Sequence, residues 1–230
     1  VAEGPGKFSF MKKVRVPVAA EGYPFIFFAA FATLVLALLE LSTFALAGLG
    51  FTGYVTWFFR DPERIPPDDP AAVVSPADGK VILVEKVHDD RFVRRDVHKI
   101  SIFMNIFNVH VNRFPYSGTI ETVSHQPGKF YAADTERGAL NNEYCAMTVN
   151  TEFGKRYAVV QVAGLIARRI VCWAEKKDHL VTGERYGMIR FGSRVDLYLP
   201  TDVDVQVSRG QIVRAGETVL GKFQAAGPQV

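Results

Sequence analysis

A mainly β fold, barrel- or sandwich-like, behind an N-terminal helical membrane insert is predicted by the 230-residue sequence. Three observations predict it. A long apolar stretch near the N-terminus carries almost no charge. A proline-rich break follows it. Beyond the break, apolar residues recur with period two in short runs separated by turn residues, the mark of strands.

The apolar stretch is Pro24–Phe59, where the only ionisable side chains are Glu40 and Tyr54. A bilayer-spanning helix needs ~20 apolar residues, so this length fits one long tilted span or two short helices bent into a hairpin. Gly48 and Gly50 offer a flexible point. Lys12, Lys13 and Arg15 precede the stretch, and Arg60 and Arg64 follow it. Basic flanks on both sides put both ends on the cytoplasmic face and favour a hairpin or re-entrant insertion. Tyr23 and Trp57 stand where interfacial anchors stand. Residues 1–10 read as an appended leader, with Met11 as the native start and 11–59 as the anchoring segment.

Residues 60–70 (RDPERIPPDDP) form the linker, since four prolines exclude a helix. The β domain spans 71–230. Its expected strands are Lys80–Val87, Lys99–Phe107, Gly118–Val123, Cys145–Asn150, Arg156–Val162, Arg169–Trp173, Tyr186–Phe191, Val195–Leu199 and Val203–Val207. Thr151–Lys155, with Gly154, suits a hairpin loop.

Composition narrows the function. Hydrophobic residues at 48% and charged residues at 22% exclude a disordered chain. A formal charge of +3 is too small to argue for nucleic acid. Two cysteines, Cys145 and Cys172, make neither a disulfide framework nor a four-cysteine zinc site. The chain has no G-x-x-x-x-G-K-[ST], no G-x-S-x-G and no H-E-x-x-H, so nucleotide-dependent phosphoryl transfer, α/β-hydrolase and zincin chemistries lose their usual support.

Three segments could carry chemistry. In SPADGKV (Ser75–Val81), Asp78-Gly79 also reads as a plain turn into a strand. In FNVHVNRFP (Phe107–Pro115), His110 ends an apolar strand and also reads as a structural histidine. In YGMIRFGSRVDLYLP (Tyr186–Pro200), Gly192-Ser193 interrupts two strand patterns and also reads as a bulge.

Taken in order with PGKF (Pro127–Phe130) and NNEY (Asn141–Tyr144), behind an apolar N-terminus, these segments resemble the phosphatidylserine decarboxylase family in its short bacterial and archaeal form. The resemblance runs from about Pro17 to Phe223. It implies a proenzyme that cuts itself between Gly192 and Ser193, converting Ser193 into a pyruvoyl group. It maps an Asp–His–Ser constellation onto Asp78, His110 and Ser193. It also implies decarboxylation of phosphatidylserine to phosphatidylethanolamine through a Schiff base, with no metal and no nucleotide. Longer family members carry a second histidine where this chain has Arg113, so that residue's role does not transfer. Tyr144 and Cys145 also depart from the longer pattern.

Residue chemistry agrees with these roles. A serine hydroxyl needs a base, and an imidazole can exchange protons near neutral pH. Arg168 and Arg169 suit the head-group phosphate, as a guanidinium binds phosphate through two hydrogen bonds. Arg113 and His125 are further substrate-binding candidates. The expected partners are the phospholipid and the membrane, with no nucleic acid, and exposed sheet edges allow a homodimer. Two other readings stay open at this point: a membrane serine hydrolase using Ser193 and His110, and a biotinyl- or lipoyl-like β binding module with turns such as RAGETVLG (Arg214–Gly221).

Overall fold

A computed structural model describes residues 16–165, 169–190 and 192–224. The leader at residues 1–10, together with Met11–Arg15, lies outside the described residues, as do Arg168 and Phe191.

After a 3-10 turn at Ala20–Gly22 come helices α1 (Tyr23–Leu38) and α2 (Ser42–Phe58). Pro24 sits in the first turn of α1, where its missing N–H costs nothing. The two helices run antiparallel, with Phe25 stacked on Phe59 and the Thr33 and Thr52 hydroxyls 3.2 Å apart. Of the two expected arrangements, the hairpin is the one observed. The reversal falls at Glu40, which adopts φ 59°, and not at Gly48 or Gly50, which lie inside α2. Phe27, Phe28, Leu38 and Leu46 remain largely exposed. The segment Ala20–Leu38 is long and apolar enough to cross a membrane by length and composition.

The linker is strapped to the β domain by charge. Arg60 donates to the Phe107 carbonyl at 2.8 Å, and Arg64 reaches Asp78 at 3.1 Å and Glu217 at 2.8 Å. Asp61 accepts from Arg185 at 2.7 Å.

The strands are β1 (Ala72–Val74), β2 (Gly79–Asp89), β3 (Arg95–Met104), β4 (Val111–Arg113), β5 (Gly118–Gln126), β6 (Tyr144–Asn150) and β7 (Arg156–Val162). They continue with β8 (Ile170–Cys172), β9 (His179–Leu180), β10 (Arg185–Ile189), β11 (Ser193–Pro200), β12 (Val203–Val205), β13 (Ile212–Val213) and β14 (Val219–Phe223). A short helix α3 (Glu136–Asn141) precedes β6, its N-cap Thr135 hydroxyl accepting from Gly138 N–H. One curled eight-stranded sheet runs β13-β2-β3-β11-β7-β6-β5-β9, and two three-stranded sheets run β1-β14-β12 and β4-β10-β8. Every pairing between these named strands is antiparallel.

Period two decides which side chains face the core. Ser193, Val195 and Leu197 of β11 lie opposite Met104, Ile102 and Ile100 of β3, and these apolar residues share the main core. On the other flank, Val195 and Leu197 face Gln161 and Val159 of β7. Arg194, Asp196 and Tyr198 occupy the opposite face. The expected strand Lys99–Phe107 stops at Met104 because two asparagines build a turn. Asn108 Oδ1 accepts from Asn105 N–H at 2.9 Å, and Asn105 Oδ1 from Phe107 N–H at 2.8 Å. That turn brings the chain back through His110 into β4.

Candidate active site

The register gathers the candidate residues at one end of the large sheet. β2 starts there, just after Asp78; β3 ends there at Met104; β11 starts there at Ser193; and β7 ends there at Val162. Beside it, β4 pairs with β10 just past His110, and Ile189 N–H donates to the His110 carbonyl.

Gly192-Ser193 is not a bulge within a strand. It is the passage from β10 in a small sheet to β11 in the large one. Gly192 adopts φ +60°, a conformation that L side chains rarely take. Its carbonyl packs directly on Gly164. A β-carbon built on Gly164 would stand 1.8 Å from the Gly192 oxygen and 2.9 Å from its carbonyl carbon. Gly164 is held in turn by the buried amide of Asn142. Its Nδ2 donates to the Ala163 carbonyl at 2.7 Å and the Tyr131 carbonyl at 2.8 Å, and its Oδ1 accepts from Tyr131 N–H at 2.7 Å.

Ser193 is fully buried, and its hydroxyl donates to the Met104 sulfur at 3.5 Å, a weak acceptor. His110 is fully buried too. Its ring packs on Phe58 of α2 with centroids 4.3 Å apart, and neither ring nitrogen has a hydrogen-bond partner of good geometry. Burial pushes the imidazole down to about 4; the Asn108 backbone opposes this shift and the Arg60 charge reinforces it. His110 is therefore neutral at pH 7. Asp78 has its carboxylate fully engaged, with Oδ1 accepting from Ala215 N–H at 2.7 Å and Oδ2 facing Arg64 at 3.1 Å. Asp78, His110 and Ser193 thus share one region, yet no hydrogen bond among the described residues joins them to one another.

The other candidates separate. Arg113 is buried and ties down the linker, donating to the carbonyls of Pro62 at 2.8 Å and Gly183 at 3.0 Å, with Asp61 at 3.5 Å. His125 is exposed on β5, 3.2 Å from Glu143. Arg169 is exposed beside Arg190, which sequence reasoning passed over and which lies over the Phe25 ring of α1 at 5.4 Å. Arg168 lies outside the described residues.

Sequence reasoning also missed Asn112 and Gln161, both fully buried. Gln161 Nε2 donates to Asn112 Oδ1 at 2.9 Å, and Asn112 Nδ2 points to the same Met104 sulfur at 3.6 Å. Parity carried a signal for Gln161, which stands in phase with the inward Tyr157 and Val159 of an otherwise apolar strand.

Comparison with known proteins gives one consistent result. The family model described as phosphatidylserine decarboxylase matches residues 51–221. A phosphatidylserine decarboxylase proenzyme of Desulfotalea psychrophila is 56% identical over 213 residues, spanning 93% of this chain and 100% of that protein. Proteins of the same description from Syntrophotalea carbinolica and Geobacter sulfurreducens are each 49% identical, over 211 and 216 residues, spanning 92% of this chain and 99% of their own.

Proposed function

Because the chain belongs to the phosphatidylserine decarboxylase family, a family of carboxy-lyases, we propose that it cuts itself at Gly192–Ser193 and decarboxylates phosphatidylserine with a pyruvoyl group made from Ser193. The observation that carries this reading is the junction itself: a left-handed glycine, its carbonyl packed on Gly164, followed at once by a fully buried serine.

The residues fit the making of such a group. Ser193 Oγ bonds to the Gly192 carbonyl carbon while the Gly192–Ser193 C–N bond breaks and the hydroxyl proton passes to nitrogen. His110, neutral at working pH, moves that proton. Loss of the Gly192 carboxylate from Cβ, together with the α-proton, leaves dehydroalanine, and water then releases ammonia. When formed, the pyruvoyl supplies an electron sink through a Schiff base with the lipid's amino group. His110 remains placed to return a proton to the carbon that loses CO₂. Asp78, locked by Arg64 and Ala215, positions the turn beside β4, where Arg113 N–H donates to the Pro76 carbonyl at 2.9 Å.

A lipid substrate suits the surroundings. Between α1 and α2 lies an apolar cleft of ≈470 Å³, walled by Phe25, Phe28, Phe51, Tyr54 and Phe58. Phe58 is also the ring against His110, so one side chain joins acyl-chain territory to the chemistry. Arg169 and Arg190, beside the base of α1, suit the phosphodiester. On this reading residues 11–59 insert in the cytoplasmic face of the cell membrane, 60–70 form a charged strap and 71–230 form the decarboxylase domain.

Denaturing electrophoresis tests the reading. Purified protein should run as chains of about 21 and 4 kDa, scaled from length, and the small chain, residues 193–230, should resist N-terminal sequencing. One intact chain in an active preparation would refute it. Gly164→Ala gives a second check. The added methyl group cannot share space with the Gly192 oxygen, so the attacked carbonyl must turn away. Self-cleavage should slow by roughly tenfold or more, read as the band ratio over time after synthesis. Cleavage at the parental rate would show that this contact does not aim the carbonyl.

A further inference from the structure

We propose that Gln161 contacts the substrate, its side-chain oxygen accepting an N–H from the head-group amine while Asn112 holds the amide in place; this rests on the decarboxylase reading above. Gln161 and Ser193 lie on the same face of the large sheet. Val195 is directly opposite Gln161, and Ser193 is two residues before Val195 on β11. Such diagonal neighbours stand about 7–8 Å apart, within reach of a long side chain. Met104 lies opposite Ser193 on β3 and closes the group.

Hydrogen-bond chemistry sets the orientation of both amides. The Met104 sulfur can only accept, so Asn112 turns its NH₂ toward it. Asn112 Oδ1 then faces Gln161, and Gln161 must answer with its own NH₂ at 2.9 Å. Gln161 Oε1 is left over. It is buried and has no hydrogen-bond partner, although its residue is fully enclosed. A buried acceptor without a donor is destabilising, so its retention calls for a donor that arrives later.

The head group offers one kind of donor. A carboxylate and a phosphodiester present acceptors alone, whereas the serine amine presents N–H groups. An orphaned acceptor therefore selects the amine, the atom that must meet position 193. Ser193, His110, Asn112 and Gln161 are all fully buried in the uncut chain. On this proposal the head group reaches these residues only after the cut behind Gly192 frees the chain end that abuts Ser193.

The test uses the self-processed enzyme, its pyruvoyl ketone reduced by borohydride so that no Schiff base can form, and two soluble probes. Glycerophosphoethanolamine carries an amine with N–H donors; glycerophosphocholine carries the same phosphodiester and positive charge without any N–H. Calorimetric titration of the parent should show at least a tenfold preference for the first. Gln161→Met should abolish that preference and, in the unreduced enzyme, lower kcat/KM for phosphatidylserine by tenfold or more. Gln161→Met leaves Asn112 Oδ1 unpaired and lowers the thermal midpoint. The double variant Asn112→Leu/Gln161→Met removes both polar groups and should recover the midpoint while the preference stays lost. Recovery of the preference in the double variant, or its persistence in Gln161→Met, would overturn the proposal and leave the pair a packing device. A parent that never splits sinks the decarboxylase reading instead; a split parent without amine preference sinks this inference alone.

Discussion

Ser193→Ala should give a single uncut chain with no decarboxylase activity and an almost unchanged fold. The variant lacks the hydroxyl that attacks the Gly192 carbonyl, so neither the cut nor the electrophile can form, and turnover should fall by roughly 10⁴-fold or more. The fold should survive because the hydroxyl makes one weak bond, to the Met104 sulfur at 3.5 Å. Deleting it leaves no strong donor or acceptor stranded, which limits the stability change to about 1 kcal/mol. The backbone ladder of Ser193 with Met104 is untouched by the change. Intact mass, a thermal melt and release of CO₂ from labelled lipid check all three parts. Ser193→Cys separates nucleophile from packing: a thiol can still attack the carbonyl, so some cleavage should return. A Ser193→Ala chain that splits between 192 and 193 would remove Ser193 from the chemistry altogether.

The long strands were legible because burial of one face imposes period two over many residues. β2, β5, β6, β7 and β11 lie where alternation and turn residues place them. β1, β9 and β13 have two or three residues each, too few to show any period. Helix α3, one and a half turns, is announced by its cap Thr135 alone. The helical hairpin followed from apolar length together with the basic flanks, but its bend at Glu40 did not, since a non-glycine residue at φ 59° leaves no mark in composition. In the site, Asp78, His110 and Ser193 were reached through motif order. Their present partners were not, because Arg64, Phe58 and Met104 come from the linker, a helix and a neighbouring strand. Arg113 shows the converse. A cation next to a candidate catalytic motif suggests phosphate, yet the folded linker engages it through Asp61 and Pro62.

His110→Leu should separate catalysis from stability in opposite directions. The imidazole is buried against Phe58, lacks a good hydrogen-bond partner and binds its proton only near 4. Leucine is of similar size and carries no polar atom, so the fold should be as stable at neutral pH or more so. Self-cleavage should nevertheless slow by about 10²–10⁴-fold, the usual contribution of a positioned base. Acid supplies the second contrast. In the unfolded parent the histidine takes up its proton near 6.5, whereas the folded chain does so only near 4. Its contribution to stability is complete above 6.5 and is lost as pH falls through that window, by roughly 3 kcal/mol in all. Urea melts of uncut Ser193→Ala at pH 7 and pH 4.5 should show this loss, and the His110→Leu/Ser193→Ala double variant should lack this component of it. The same depressed proton affinity keeps the base free in mild acid. Self-cleavage limited by His110 should therefore hold its rate from pH 7 to about 5 and fall toward a midpoint near 4. Phe58→Ala, which lets water reach the ring, should move that midpoint upward toward 6.5. A midpoint that stays in place would mean that the proton leaves Ser193 for a group other than His110.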